Sequence, residues 1–176
     1  MKLQRLLSYV RQAVDDYRMI DSGDVIAVGV SGGKDSLALL YALKELQHFY
    51  PNPYTIKAIT VDLGLGNQNT GEIEQLCKSM EIEYYIVRTE IGTIIFKERH
   101  EKNPCSLCAK MRKGALNNEA LRIGCNKIAY AHHQDDAIET MLMSLIYEGR
   151  FHTFSPYTHW DKTGLSLIRP FIYIRE

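Results

Sequence analysis

Cysteine, proline and tryptophan are all scarce in this 176-residue sequence: four, five and one. Four cysteines cannot staple a chain of this length, so a disulfide scaffold is excluded. In a reducing compartment, close thiol pairs instead bind metal or carry redox chemistry. No apolar run approaches the ~18 residues that a bilayer span needs, so no membrane partner is expected. Neither sign of charge dominates, since 21 Lys and Arg balance 21 Asp and Glu. Any electrostatic case for nucleic acid must therefore be local. Met1 to Val14 carries charges throughout and has no uninterrupted apolar core, unlike a signal peptide, so a cytoplasmic location is expected. No internal repeat or low-complexity tract is visible.

What remains is an ordinary globular composition, 45% hydrophobic and 24% charged, which excludes a disordered chain. The length predicts one domain over residues 1–176 with one sizeable core. Leu3, Leu6, Leu7, Val10, Val14 and Tyr17 recur near a 3.6-residue period, so residues 1–20 hold an amphipathic helix. Short β-branched or apolar runs at 25–30, 56–61, 83–87 and 128–131 read as strands. Helical patterns occupy 36–49, 70–80, 108–123 and 134–147, with Gly124 and Gly149 as stops. A further strand is expected around 167–168. The stretch from Thr89 to Pro104 has no readable period. Strands alternating with helices predict an α/β fold: a doubly wound parallel sheet with helices on both faces. In such sheets ligands bind beyond the carboxyl ends of the strands. Three chemically loaded segments, Ser31–Ser36, Asp62–Gly66 and His132–Asp136, directly follow predicted strands, which points to one site.

The segment S-G-G-K-D-S at 31–36 lies between a strand and a helix. Gly32 and Gly33 let an anion approach the backbone, and the amides opening the next helix point at it. Lys34 adds a cation, and Ser31 and Ser36 add hydroxyl donors. The spacing from Gly29 to Gly33 is one residue short of a Walker A loop, and Asp35 stands where Ser or Thr is required. A structural turn would need neither the lysine nor two serines. The segment resembles the signature of the PP-loop ATP pyrophosphatases, which split ATP between the α and β phosphates and adenylate a substrate oxygen. The resemblance implies an adenine nucleotide α-hydrolase type of fold. It also implies that Val30, Ser31, Gly32, Gly33, Lys34, Asp35 and Ser36 hold ATP, together with Asp62 and His132.

Cys105 and Cys108 form C-S-L-C, a spacing that puts two sulfurs on one side of a helical turn. The alternatives are metal ligation, two buried thiols or a redox dithiol; Cys77 and Cys125 sit on other predicted elements. A-H-H-Q-D-D at 131–136 joins a strand to a helix. Asp135 or Asp136 is either an N-cap, a magnesium ligand or a proton acceptor. P-C-S-L-C-A-K-M-R-K-G at 104–114, A-H-H-Q-D-D-A-I-E-T at 131–140 and L-I-R-P-F at 167–171 resemble the tRNA 2-thiocytidine biosynthesis family over nearly the whole chain.

That resemblance implies thiolation of an anticodon-loop cytidine with ATP, Mg2+ and a [4Fe-4S] cluster. Its partners would be tRNA and a sulfur donor such as a cysteine desulfurase, with a homodimer as the assembly. Cys105 and Cys108 would anchor the cluster, whose third cysteine in the family lies further downstream than Glu176, as if the chain were shortened. Asp35 would hold magnesium, Lys34 and Arg112 would stabilise developing charge, and Asp135 and Asp136 would complete the catalytic set. Ala131 replaces the family's usual glycine before the histidine pair. From Lys97 to Lys127, eight basic residues face three glutamates, a local excess of five around the cysteine pair. Lys110, Arg112 and Lys113 are the expected tRNA contacts. The rivals are a lysidine synthetase-like or 2-thiouridine-forming PP-loop enzyme and a non-catalytic, zinc-stabilised nucleotide- or RNA-binding module.

Overall fold

The structure, a computed structural model, describes residues 3–66, 70–95 and 104–175. The elements run α1 (Leu3–Asp16), β1 (Val25–Gly29), α2 (Lys34–Leu46), β2 (Thr55–Asp62), α3 (Thr70–Ser79), β3 (Glu83–Arg88), the single turn α4 (Ile91–Thr93), α5 (Pro104–Arg122), β4 (Lys127–Ala129), α6 (Gln134–Glu148), β5 (Tyr157–Trp160) and β6 (Leu165–Ile168). One sheet has the order β3-β2-β1-β4-β6-β5. All neighbours are parallel except β5 and β6.

The central strand explains the layering. Ile26 and Val28 face one side and Ala27 the other, as a two-residue side-chain period demands. The first side packs Val10 and Val14 of α1, Leu39, Leu40 and Leu43 of α2, and Ile73 of α3. Each such side chain, taken from water, contributes roughly 1.5–3 kcal/mol. The second side packs Leu116 and Ala120 of α5 against Ile59, Ile128 and Leu167. Both faces are therefore covered, and the strands read as near-continuous apolar runs.

At the amino edge of the sheet an ion cluster ties β1 to β4. Lys127 Nζ lies 2.6 Å from Asp24 and 2.9 Å from Asp21, and donates to the Met19 carbonyl at 2.9 Å. Burial alone would lower the lysine pKa, but the bonds to Asp24 and Asp21 outweigh it and raise the value. Asn126 completes the tie, accepting from Val25 N–H at 2.9 Å.

Three expectations change. Helix α5 starts at Pro104, so Cys105 as well as Cys108 lies inside its first turns, whereas the expected helix began at Cys108. The strand expected at 167–168 is β6, and it is preceded by β5, antiparallel to it. The sequence Tyr157-Thr-His-Trp160 has no apolar alternation that would announce a strand. The unreadable stretch holds α4, and residues 96–103 lie outside the described residues.

Candidate functional site

Beyond β1 the chain turns through Ser31–Gly33 and enters α2 at Lys34. Gly32 has φ +83°, a left-handed conformation that side-chain-bearing residues rarely adopt. Gly33 is different. Its φ is −75°, and an added Cβ would meet only the Ser31 hydroxyl at 3.5 Å. Nothing in the protein itself requires glycine there, so the space above it is free for a ligand. The two serines shape the loop. Ser36 is buried; its hydroxyl donates to the Gly33 carbonyl at 2.9 Å and lies 3.2 Å from the Ser31 N–H that it accepts. The Ser36 proton is thus spent inside the loop rather than offered to a ligand. Gly33 N–H points to Ser31 Oγ at 3.4 Å.

Next door, β4 ends at Ala129 and the chain passes Tyr130, Ala131 and His132 into α6. Strands β1 and β4 are the neighbours at which the sheet order reverses, the switch point where open α/β sheets bind ligands. A cavity of about 470 Å³ opens there, lined among others by Ser31, Asp35, Arg112, Lys113, His132 and Arg169. The structure therefore brings the glycine loop, the helix that carries the cysteines and the histidine motif around one volume. Val30 and Ser36 also line it, while Gly32, Gly33, Lys34, Asp62, Lys110, Asp135, Asp136 and the two cysteines do not. Asp62 is spent on its own loop, accepting from Gly64 N–H at 2.9 Å.

Arg169, immediately after β6, is 7% exposed. Its Nε donates to His132 Nδ1 at 3.2 Å, a second nitrogen donates to the Ser155 carbonyl, and its guanidinium lies 4.5 Å over the Phe154 ring. Among the described residues no carboxylate reaches it. Burial pushes its pKa down from the ordinary arginine value. Burial, and then the adjacent guanidinium, likewise lower the His132 pKa. An acceptor at Nδ1 fixes the neutral ring with its proton on Nε2. Sequence reasoning noted the R-P dipeptide only as part of a resemblance and gave Arg169 no role. The signal was its place directly after a strand, at the same sheet edge as the other motifs.

His133, also without an assigned role from the sequence, is the N-cap of α6 and buried. Its ring nitrogens lie 3.8 Å from Asp35 and 3.8 Å from Asp136, which places the two motifs side by side. Asp136, at the third position of the helix, accepts the His133 backbone N–H at 2.7 Å in a capping box, so the N-cap is His133 and neither aspartate, contrary to the expectation. Asp135 follows α6's first residue and is partly exposed.

Cys105 is exposed and Cys108 half-buried, on the first turns of α5. Cys108 and Arg112 are one turn apart and share a face. Cys77 and Cys125 are buried in the two cores, and burial pushes both thiols up to about 11, so both stay protonated at neutral pH. Among the described residues no group of three or more His, Cys, Asp or Glu is placed to share a metal ion. Two thiolates fall short of what a four-iron cluster needs. For a hard divalent cation the fit is better, because one carboxylate, Asp35, lines the cavity where ligand phosphates can supply further oxygens.

The basic cluster shrinks in three dimensions. Lys127 is locked in the amino-edge ion cluster, and Arg122 is held by Glu119 at 2.6 Å. Buried Lys127 is not available to a nucleic acid, and Arg122, 66% exposed in its surface ion pair, sits at the end of α5 away from the cavity. Lys97, Arg99 and Lys102 lie outside the described residues. Lys110, Arg112 and Lys113 remain on the carboxyl-edge half of α5, with Lys113 Nζ 4.9 Å over the Trp160 ring.

A family model described as a PP-loop domain matches residues 4–176. A tRNA-cytidine(32) 2-sulfurtransferase of Geotalea uraniireducens is 37% identical over 173 residues, covering 98% of this chain and 69% of that protein. The protein of the same name from Syntrophotalea carbinolica is 37% identical over 166 residues, covering 94% and 64%. Among solved structures, the U34-tRNA thiolase NcsA from Methanococcus maripaludis with its [4Fe-4S] cluster superposes with a TM-score of 0.77 at 29% identity, covering 98% of this chain and 59% of that one. No helix among the described residues is long and apolar enough to cross a membrane.

Proposed function

The chain belongs to the PP-loop domain family, and from that membership we propose that it is an ATP-dependent tRNA thiolation enzyme acting on an anticodon-loop cytidine. The supporting observation is the cavity at the switch point, where an anion-ready loop, a buried arginine with no carboxylate partner among the described residues and the cysteine-bearing helix meet.

The chemistry has two halves. The C2 oxygen of the base attacks the α-phosphorus of ATP, forming an O–P bond as the bond to pyrophosphate breaks. A sulfur nucleophile then adds to C2, and AMP departs with the oxygen. The residues present divide this work. The Gly32–Gly33 turn and the first amides of α2 hold the β and γ phosphates, assisted by the helix dipole. Lys34, the first residue of α2, lies at the same phosphates. Arg169 and Arg112 meet the charge that grows on the α-phosphate. His132, fixed as the Nε2–H form, donates a hydrogen bond to a phosphate oxygen or to the nucleoside. Asp35 would hold a magnesium ion against the phosphates, with Asp135 or Asp136 beside it; bound there, the ion would neutralise charge on the leaving pyrophosphate. Cys105 and Cys108 stand at the sulfur-handling end, two turns and one turn from Arg112. Lys110, Arg112 and Lys113 receive tRNA phosphates. A cysteine desulfurase is a suitable class of sulfur donor, and the cytoplasm a suitable place.

The test is pyrophosphate release with tRNA. Lys34→Ala and Asp35→Ala are expected to abolish it, while Arg122→Ala at the far end of α5 is expected to leave it intact. Undiminished release in either of the first two variants removes that residue from the mechanism.

A further inference from the structure

Tyr130 lines the cavity without a role in the chemistry proposed so far. It is the first residue past β4, and its backbone N–H donates to the Ile168 carbonyl at 3.1 Å. Its side chain is half-buried and packs on the α5 side of the sheet. Gly29, the last residue of β1, leaves the room that the ring needs. A Cβ there would meet Leu116 at 3.0 Å and the Tyr130 ring at 3.4 Å. On its other side the ring meets His132 at an interplanar angle of 73°, with centroids 5.7 Å apart. Strand, helix and histidine thus hold the ring in one place on the cavity wall.

The hydroxyl is the unspent group. Tyr54 donates to the Leu43 carbonyl at 2.6 Å, Tyr50 to Asp15 at 3.0 Å and Tyr173 to Asp16 at 3.0 Å, as phenols withdrawn from water ordinarily do. Among the described residues the Tyr130 hydroxyl has no hydrogen-bond partner, although it shares the cavity with Arg112 and Arg169. Burial pushes its pKa up to about 12, against the pull of those two guanidiniums, so it stays a donor at neutral pH. With the phenol and both arginines donating, the occupant between them must accept several hydrogen bonds in one place. A base carbonyl offers two lone pairs. The non-bridging oxygens of a phosphate offer more, and they carry the charge that guanidiniums answer. The terminal phosphates belong to the Gly32–Gly33 turn, whereas Tyr130 lies beside Gly29, at the strand end of that loop. The phosphate that reaches it is therefore the inner one.

We propose that Tyr130 is a further catalytic residue, whose hydroxyl donates a hydrogen bond to a non-bridging oxygen of the nucleotide's α-phosphate. The catalytic part of this rests on the proposed function. No proton is transferred; the bond strengthens as charge collects on that oxygen while the base oxygen attacks and pyrophosphate leaves. The same bond forms with any nucleotide whose α-phosphate sits there, AMP included, so the contact is measurable apart from thiolation.

Tyr130→Phe keeps the ring and its packing and removes the hydroxyl alone. Calorimetry on the whole chain, with adenosine, AMP and inorganic pyrophosphate as probes, tests the contact. AMP is expected to bind Tyr130→Phe roughly 10–100-fold more weakly than wild type, with adenosine and pyrophosphate unchanged. With tRNA and saturating ATP, kcat for pyrophosphate release should fall about 10²-fold. Tyr50→Phe, past the end of α2 and away from the cavity, should change neither quantity. Equal AMP affinity in Tyr130→Phe and wild type overturns the proposal. So does a wild type that binds AMP no better than adenosine, or a variant in which adenosine weakens as much as AMP, which would put the hydroxyl at the nucleoside. Weakened AMP binding beside a wild type that releases no pyrophosphate supports the contact and overturns the proposed function. Unchanged AMP binding beside normal release does the reverse.

Discussion

Arg169→Met separates stability from binding, because only binding depends strongly on the guanidinium. Taking an ion out of water costs several kcal/mol, and here no carboxylate repays it. The compensation is the Phe154 ring at 4.5 Å, worth ~2 kcal/mol when desolvated, and the bonds to His132 and the Ser155 carbonyl, about 1.5–3 kcal/mol each. These terms nearly cancel, so a methionine of similar length should leave the unliganded protein within about 1 kcal/mol of wild type. A phosphate about 4 Å from the guanidinium at an effective dielectric near 20 gains ~4 kcal/mol. Its loss should weaken ATP by a factor on the order of 10²–10³. Arg169→Lys keeps the charge but loses the fork that reaches His132, so it should fall between the two. Chemical denaturation of the unliganded variants and calorimetry with ATP and magnesium measure both quantities. A methionine variant that loses more than about 3 kcal/mol of stability yet binds ATP like wild type would refute the reasoning, leaving Arg169 a purely structural residue.

Three further outcomes follow from the same geometry. Gly33→Ala should fold normally and bind ATP poorly, since its Cβ meets only Ser31 Oγ at 3.5 Å; Gly32→Ala should lose about 1–3 kcal/mol of stability from its positive φ, and thermal unfolding beside ATP titration distinguishes them. His132 has a folded pKa below its ordinary value near 6.5, so the unfolded chain takes up its proton first and the folded state loses stability as pH falls below about 6.5; melting curves from pH 7.5 to 5.5 should fall less steeply in His132→Gln. For tRNA, Lys110→Ala should lower the slope of log affinity against log salt by ~1, whereas Lys127→Met should leave that slope alone and cost about 3–5 kcal/mol of stability by stranding buried Asp24.

Much of this architecture is legible in the sequence, and for identifiable reasons. The β1–loop–α2 unit carries an apolar run, a glycine pair and a leucine repeat in succession, and these local signals agree with the fold. The carboxyl-edge position of His132 was legible because a four-residue apolar run precedes it. Other features depend on contacts distant in sequence. Strand β5 is held by pairing with β6, while its own Tyr157-Thr-His-Trp160 lacks alternation. The start of α5 was missed because a C-x-x-C pair reads as a loop when Pro104 is the first helical residue, a position that proline tolerates. The basic stretch from 97 to 127 misled as a unit. Its members point to both ends of a 19-residue helix and beyond, and linear charge density does not distinguish an ion-paired lysine from a ligand-facing one.

The zero net charge conceals a sorting of charge by sheet edge. At the amino edge, acidic and basic groups satisfy each other: Asp21 and Asp24 hold Lys127, and Glu119 holds Arg122. At the carboxyl edge, Arg112 and Arg169 line one cavity together with Asp35, and among the described residues no carboxylate pairs with either guanidinium. Helices α2 and α6 also begin there, and their dipoles add positive potential where they start. A fold seeking stability alone would not bury a guanidinium at that edge and then leave it without a counter-charge. The imbalance has a physical use only when an anion occupies the cavity, and the parts around it divide that anion into regions. The open space above Gly33 suits the terminal phosphates, and the Arg112–Arg169 side suits the phosphate at which a bond is made. Under the proposed function the start of α5, with Cys108 one turn and Cys105 two turns from Arg112, is the end that would handle the incoming sulfur.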